Sequence, residues 1–362
     1  MKKILFSLCA LAAIAACTKS EVQYEPSGEI SFAPVAKTLS KSVAGYKDDG
    51  TAFDGIFPTG VNLYVFANAS NDAGDAWKDP YFANALFVHS TTKGSKDTQT
   101  FDGKSYKTEG AYAGQPTRYW PNVKTLKFIG YSAACNVAAT AGTATTAEVD
   151  NDFTTLTISD YTQDNSKTAE GANDLMWFPA TQAYGKQADE IAVQMKHACS
   201  WITINVAKHT DLNNIEYKLD KLELAAFAHT GEVVCTQDSA TWDELDNNTT
   251  EVYCELTTNN TLSTTPTNFE TNKNNFIVIP QTPVNLNVTY PYVSQDNPEG
   301  VADLTLTETA PVSLALAGNA NWQAGVHYIY NVTITATEIL IDPVVVDWTT
   351  GTTPAVTLPE NN

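Results

Sequence analysis

The chain has 362 residues, 41 of them acidic and 21 basic, for a formal net charge of −20 at neutral pH. Such an acidic surface argues against nucleic acid, whose phosphates need clusters of Lys and Arg, and against electrostatic docking on anionic lipid. The single arginine, Arg118, leaves almost no guanidinium to clamp an anionic substrate.

Lys2 and Lys3, followed by the apolar run of residues 4–16, have the form of an export signal. The run is too short for a durable membrane-spanning helix of about 20 residues. Ile14-Ala15-Ala16-Cys17 places small residues before a cysteine, the pattern of a lipobox. Residues 1–16 are therefore expected to be removed, leaving Cys17 as an acylated N-terminus held in outer-membrane lipid by palmitate-type chains. An exported chain tolerates disulfides. Cys9 leaves with the signal and Cys17 takes the lipid, so Cys135, Cys199, Cys235 and Cys254 remain, with three full pairings open. Cys235 with Cys254 is the nearest pair in sequence; four buried thiols in strands is an equal alternative.

Thr, Val and Tyr suit strands, and the many Asn and Gly suit turns. Ile30 and Phe32 share one face of a short first strand. Val61, Leu63 and Val65 alternate with Asn62, Tyr64 and Phe66, a strand buried on both faces. The spacing of Tyr81 to Val88 is the one window that suggests a helix. Leu126 and Phe128 resume the strand pattern. In the second half Ile202, Ile204 and Val206 alternate with Trp201, Thr203 and Asn205. Phe276 to Ile279 is a short apolar run closed by Pro280. Val284, Leu286, Val288 and Tyr290 alternate, as do Leu304 and Leu306, and Tyr328, Tyr330, Val332 and Ile334 form the longest stripe. The expectation is an all-β fold of two tandem antiparallel β-sandwich domains, transthyretin-like or Greek-key in type. Their limits are set at residues 17–188 and 189–362, divided by the polar stretch Gly185 to Asp189.

No HExxH, GxSxG, phosphate-binding loop or dinucleotide fingerprint is present. Neither an enzyme nor a cofactor is expected. Asp72, Asp75 and Asp79 crowd one loop without the carboxylate spacing of a calcium motif. His197 has no second His or Cys at metal spacing and reads as a satisfied structural histidine.

Six blocks carry a resemblance to a known family. They are Tyr119-Trp120-Pro121 before Leu126-Lys127-Phe128, Asp174-Leu175-Met176, and Val193 to His197 leading into Trp201 to Val206. Ile279-Pro280-Gln281-Thr282, Trp322 to Tyr330, and Val346-Asp347-Trp348 complete the set. In this order, behind a lipobox, the chain resembles the fimbrillins, subunits of type V pili in Gram-negative anaerobes. The blocks themselves read as structural: Trp120 and Trp322 as plugs at sandwich ends, Pro121 and Pro280 as strand stops.

The resemblance implies export as a lipoprotein, followed by protease removal of the first strand. A neighbouring subunit's strand then enters the vacated groove, a form of β-augmentation. On this chain the removable strand would carry Ile30, Phe32 and Val35. Cutting would fall after Lys37, Lys41 or Lys47, since no arginine lies near. The donor would be the C-terminal stretch with Val344, Val345, Val346, Val356 and Leu358. The implied partners are other pilus subunits, outer-membrane lipid and a host or bacterial surface ligand, with no nucleic acid. The alternative is a surface glycan-binding lipoprotein using Trp77, Tyr81 and Trp242.

Overall fold

A computed structural model of the chain describes residues 30–36, 63–69, 79–90, 105–107, 119–120, 125–132, 146–163, 174–183, 191–212, 215–243, 245–246, 250–255, 260–266, 274–294, 305–335 and 339–347. Among them the fold is all-β, with twenty strands and two single-turn 3-10 helices.

Seven strands close a barrel. They are β1 (Ser31–Ala36), β2 (Leu63–Ala69), β3 (Asp79–Ser90), β4 (Ser105–Lys107), β5 (Leu126–Ser132), β8 (Met176–Ala183) and β9 (Ile191–His197). Their order is β1-β4-β3-β2-β5-β8-β9, with β9 returning to β1. Inward side chains of Leu63, Val65, Phe87, Phe128 and Phe178 fill it. The outward face of β2 and β5 is apolar too: Phe66, Ile129 and Tyr131 pack under a second layer. Burial on both faces of β2 follows from its apolar run Leu63 to Ala67.

That second layer is a four-stranded sheet of β6 (Thr146–Val149), β7 (Leu156–Thr162), β13 (Thr230–Cys235) and β14 (Ala240–Asp243), in the order β14-β13-β7-β6. It joins segments far apart in the chain, Leu156 lying beside Cys235. Two further sheets enclose a separate core. One runs β16 (Asn275–Val278), β10 (Ser200–Lys208), β19 (Val326–Ile334), β20 (Ile339–Asp347). The other holds β11 (Ile215–Tyr217), β12 (Lys221–Phe227), β15 (Thr250–Glu255), β17 (Asn285–Ser294) and β18 (Thr305–Ser313). Ile202, Ile204, Tyr330 and Val332 of the first meet Leu222, Leu224, Leu286 and Val288 of the second. Period-2 alternation in each strand makes this a sandwich.

The helical reading of residues 81–88 is corrected: they lie within β3. Val65 pairs with Ala85 and Ala67 with Phe82, so Ala83 and Asn84 both face the single Phe66. This is a β-bulge, and Asn84 takes a positive φ of 47° there. The extra residue leaves Phe82, Ala85 and Phe87 on one face, a three-residue step that imitates helical spacing.

Candidate functional site

The strands expected from the sequence to act in assembly are the first, β1, and the C-terminal β20. Alternation turns Ile30, just before β1, and Phe32 within it into the barrel, where both are fully buried. The Phe32 ring lies edge-on to Phe87 at 4.9 Å and to Phe128 at 5.2 Å, and is tilted against Phe178 at 5.9 Å. Those three rings come from β3, β5 and β8, so one side chain of β1 ties together three other strands. Trp120, also buried, sits edge-on to Phe128 at 5.8 Å. Burying Ile30 and Phe32 stabilises the barrel by roughly 1.5–3 kcal/mol each.

The backbone of β1 is held less firmly than its side chains. It meets β4 at two residue pairs, Ser31 with Lys107 and Phe32 with Tyr106. On its other side it runs parallel to β9, from Phe32 beside Ile191 to Ala36 beside Met195. Parallel pairing is slightly weaker per residue than antiparallel, and Pro34 can give no N–H to the ladder. β1 is thus anchored chiefly by its apolar face.

The last described strand, β20, pairs with β19 from Val326–Asp347 to Ile334–Ile339. It forms the edge of its sheet among the described residues. Val345 packs on the sandwich core, Val344 is half-buried, and Leu340 is 47% exposed. Pro343 lies in this edge strand, where a residue without an N–H is tolerated. A groove of about 790 Å³ opens beside the strand, lined by Tyr217, Tyr290, Tyr292, Val312, Ile339 and Ile341. The Tyr290 hydroxyl donates to Glu308 at 3.3 Å. Burial, then the neighbouring Glu308 carboxylate, push the Tyr290 phenol up to about 12.

Cys17, Lys37, Lys41, Lys47, Val356, Leu358 and Trp77 lie outside the described residues. The backbones of Val35 and Val346 are placed opposite Gln194 and His327. Cys235 is a free, buried thiol, pushed up from its ordinary range by that burial. The backbone of Cys254 sits in β15 opposite Leu222, and its side chain lies outside the described residues.

The sequence blocks meet in space as supports. Asp174 and His197, from two different blocks, join through Oδ2 and Nδ1 at 2.5 Å in a buried contact. Gln281 accepts from the Ala228 N–H at 2.8 Å and donates to the Ala228 and Ile279 carbonyls at 2.9 and 3.1 Å. Trp322 donates through Nε1 to the Tyr330 hydroxyl at 2.9 Å, which donates on to the Leu314 carbonyl at 2.9 Å. His327 stacks on Trp201 with ring centroids 3.5 Å apart. The Thr203 hydroxyl gives its proton to Asn275 and lies 2.8 Å from His327 Nε2, so that nitrogen carries the imidazole proton. Burial lowers the His327 pKa to about 3. Asn275 was not legible as a partner, because it lies 72 residues from Thr203.

Two aromatics proposed for glycan contact are already engaged. Trp242 is buried and donates to the Ala198 carbonyl at 2.6 Å, and the Tyr81 hydroxyl donates to the Tyr119 carbonyl at 2.5 Å. Among the described residues no group of three His, Cys, Asp or Glu could hold a metal.

The family model described as fimbrillin-like matches residues 73–348. The chain belongs to the fimbrillin-like family. As a fimbrillin-like protein it is structural and non-enzymatic. Its fold is similar to that of a fimbrial protein from Bacteroides vulgatus, at 17% identity and a TM-score of 0.55, over 79% of this chain and 92% of that one. A fimbrial assembly protein from Parabacteroides distasonis aligns at 14% identity and a TM-score of 0.44, over 89% of this chain and 96% of that one. No curated protein sequence matches this chain.

Proposed function

We propose that this fimbrillin-like protein is a pilus or adhesion subunit, exported as a lipoprotein, anchored through Cys17 and assembled by strand exchange. Residues 1–16 are the signal. Residues 17–188 and 189–362 would be two units, the second lending β9 to the barrel of the first and β13 and β14 to the sheet that holds β6 and β7. The observation that carries the reading is the seat of β1. Ile30 at its entry and Phe32 within it plug a barrel core, while its backbone rests on a short ladder to β4 and a parallel one to β9. Cutting after Lys37, Lys41 or Lys47 would release β1. It would expose Phe87, Phe128 and Phe178 together with the free edges of β4 and β9. A strand from a neighbouring subunit would then be recruited by main-chain pairing and apolar burial.

The test is the N-terminus of the surface form, read by mass spectrometry in sheared surface material and in the outer-membrane fraction. A form starting just after one of the three lysines supports exchange. A form starting only at acylated Cys17, absent from sheared material, refutes a polymerising role and leaves an anchor.

A further inference from the structure

We propose that the first-strand slot selects a donor strand with a phenylalanine two residues after a branched aliphatic residue, and that this chain's own tail is a poor donor to another copy of itself. The inference rests on the strand-exchange reading above and goes on to name the chemistry of the partner.

The slot has a definite shape because its present occupant fills it. Ile30 and Phe32 project two residues apart into the barrel and are fully buried. The Phe32 ring is enclosed by Phe87, Phe128 and Phe178, each fixed on a different strand. Close-packed rings held by separate strands cannot all move inward to fill a gap. A smaller side chain therefore leaves a cavity, and the penalty grows with its volume. The edge-to-face contacts with Phe87 and Phe128 are lost as well. The three rings around Phe32 are all phenyl rings, so a tyrosine hydroxyl would find no hydrogen-bond partner among them. Phenylalanine is the residue that fits.

The chain's own C-terminus does not offer this pattern. Val344, Val345 and Val346 are engaged in β20, paired residue by residue with Ile329, Tyr328 and His327. Withdrawing them would strip the edge from the sandwich sheet. Val346 and Trp348 have the right spacing, but Val346 is held there, and an indole overfills a site shaped to a phenyl ring. In residues 349–362 the alternating aliphatic pair is Val356 and Leu358, and there is no aromatic residue. The fitting partner is a different subunit, one whose donor strand reads aliphatic-x-Phe.

The experiment uses the full mature chain with Cys17→Ser and a site-specific protease sequence in place of residues 38–44. After cutting, the first strand is displaced in mild denaturant and replaced by a fluorescent peptide of residues 28–36. Competitors are the unlabelled peptide 28–36, the tail peptide 343–362, and that tail carrying Val356→Phe or Leu358→Phe. The expected result is that the wild-type tail binds at least about tenfold more weakly than peptide 28–36, and that Leu358→Phe, which places the phenylalanine two residues after Val356, recovers most of the loss while Val356→Phe, two residues after Pro354, does not. A wild-type tail binding within threefold of peptide 28–36 would overturn the inference. So would a Leu358→Phe tail no better than wild type or no better than the Val356→Phe tail. If peptide 28–36 itself does not return to the slot, the strand-exchange reading fails with it; if it returns while the tail matches it, only the selectivity fails.

Discussion

Replacing Phe32 with alanine tests whether β1 is part of the barrel core or a strap lying across it. The side chain is fully buried, with two edge-on rings at 4.9 and 5.2 Å and a third at 5.9 Å. Truncating a buried phenylalanine costs about 3–5 kcal/mol, and the two edge-on pairs argue for the upper part of that range. Domains have about 5–15 kcal/mol in total, so the loss is large. It should also be local. In Phe32→Ala, amide hydrogen exchange should lose protection along Ile191 to Met195, which pair with β1, while Tyr328 to Ile334 in the sandwich keep theirs. Urea unfolding of the Cys17→Ser chain would measure the magnitude, with Ser31→Ala, a change at a half-buried neighbour, as the control. A loss below about 1 kcal/mol would refute the reasoning. It would mean that the three rings close over the vacancy, and that removing β1 leaves no groove to fill.

Acid should weaken the sandwich through His327. Its folded pKa lies near 3, against about 6.5 unfolded, so only the unfolded chain takes up the proton as the pH falls between those values. Stability conferred by the neutral ring is complete above about pH 6.5 and declines toward pH 3, with about 2 kcal/mol gone by pH 5. Urea titrations at pH 7.5 and pH 5 should show His327→Gln losing about 2 kcal/mol less than wild type over that interval; equal losses would contradict the assignment. At Gly130 a methyl group would meet the Tyr64 carbonyl at 2.5 Å and a ring carbon of Phe178 at 2.6 Å. Gly130→Ala should therefore cost at least about 1–3 kcal/mol in the same assay, and a neutral result would show that the barrel wall yields.

The extent of legibility differs by residue. Tyr328, Tyr330, Val332 and Ile334 alternate without interruption and all four enter the sandwich core, because nothing along β19 disturbs the two-residue repeat. Along β3 the same repeat is broken by the bulge at Ala83 and Asn84. The apolar residues then fall three apart, and a one-dimensional pattern cannot separate that from a turn of helix. Gln281 looked like a motif letter; its work, closing the backbone of Ala228, depends on a strand end 53 residues away.

The sequence by itself determined the strands whose alternation runs unbroken, such as β10, β17 and β19, and the face each of these buries, since alternation is a local property read from neighbours two apart. It also determined the family, because that rests on the order of short blocks. The tertiary structure alone decided which strands pair and which rings surround Phe32. It set β1 parallel to β9 at a separation of about 160 residues, and it bridged residues 146–162 and 230–243 into one sheet. Register and partner choice arise from many weak contacts satisfied at once across distant segments. Those contacts, and not any local propensity, make the first strand at once well buried and lightly tethered.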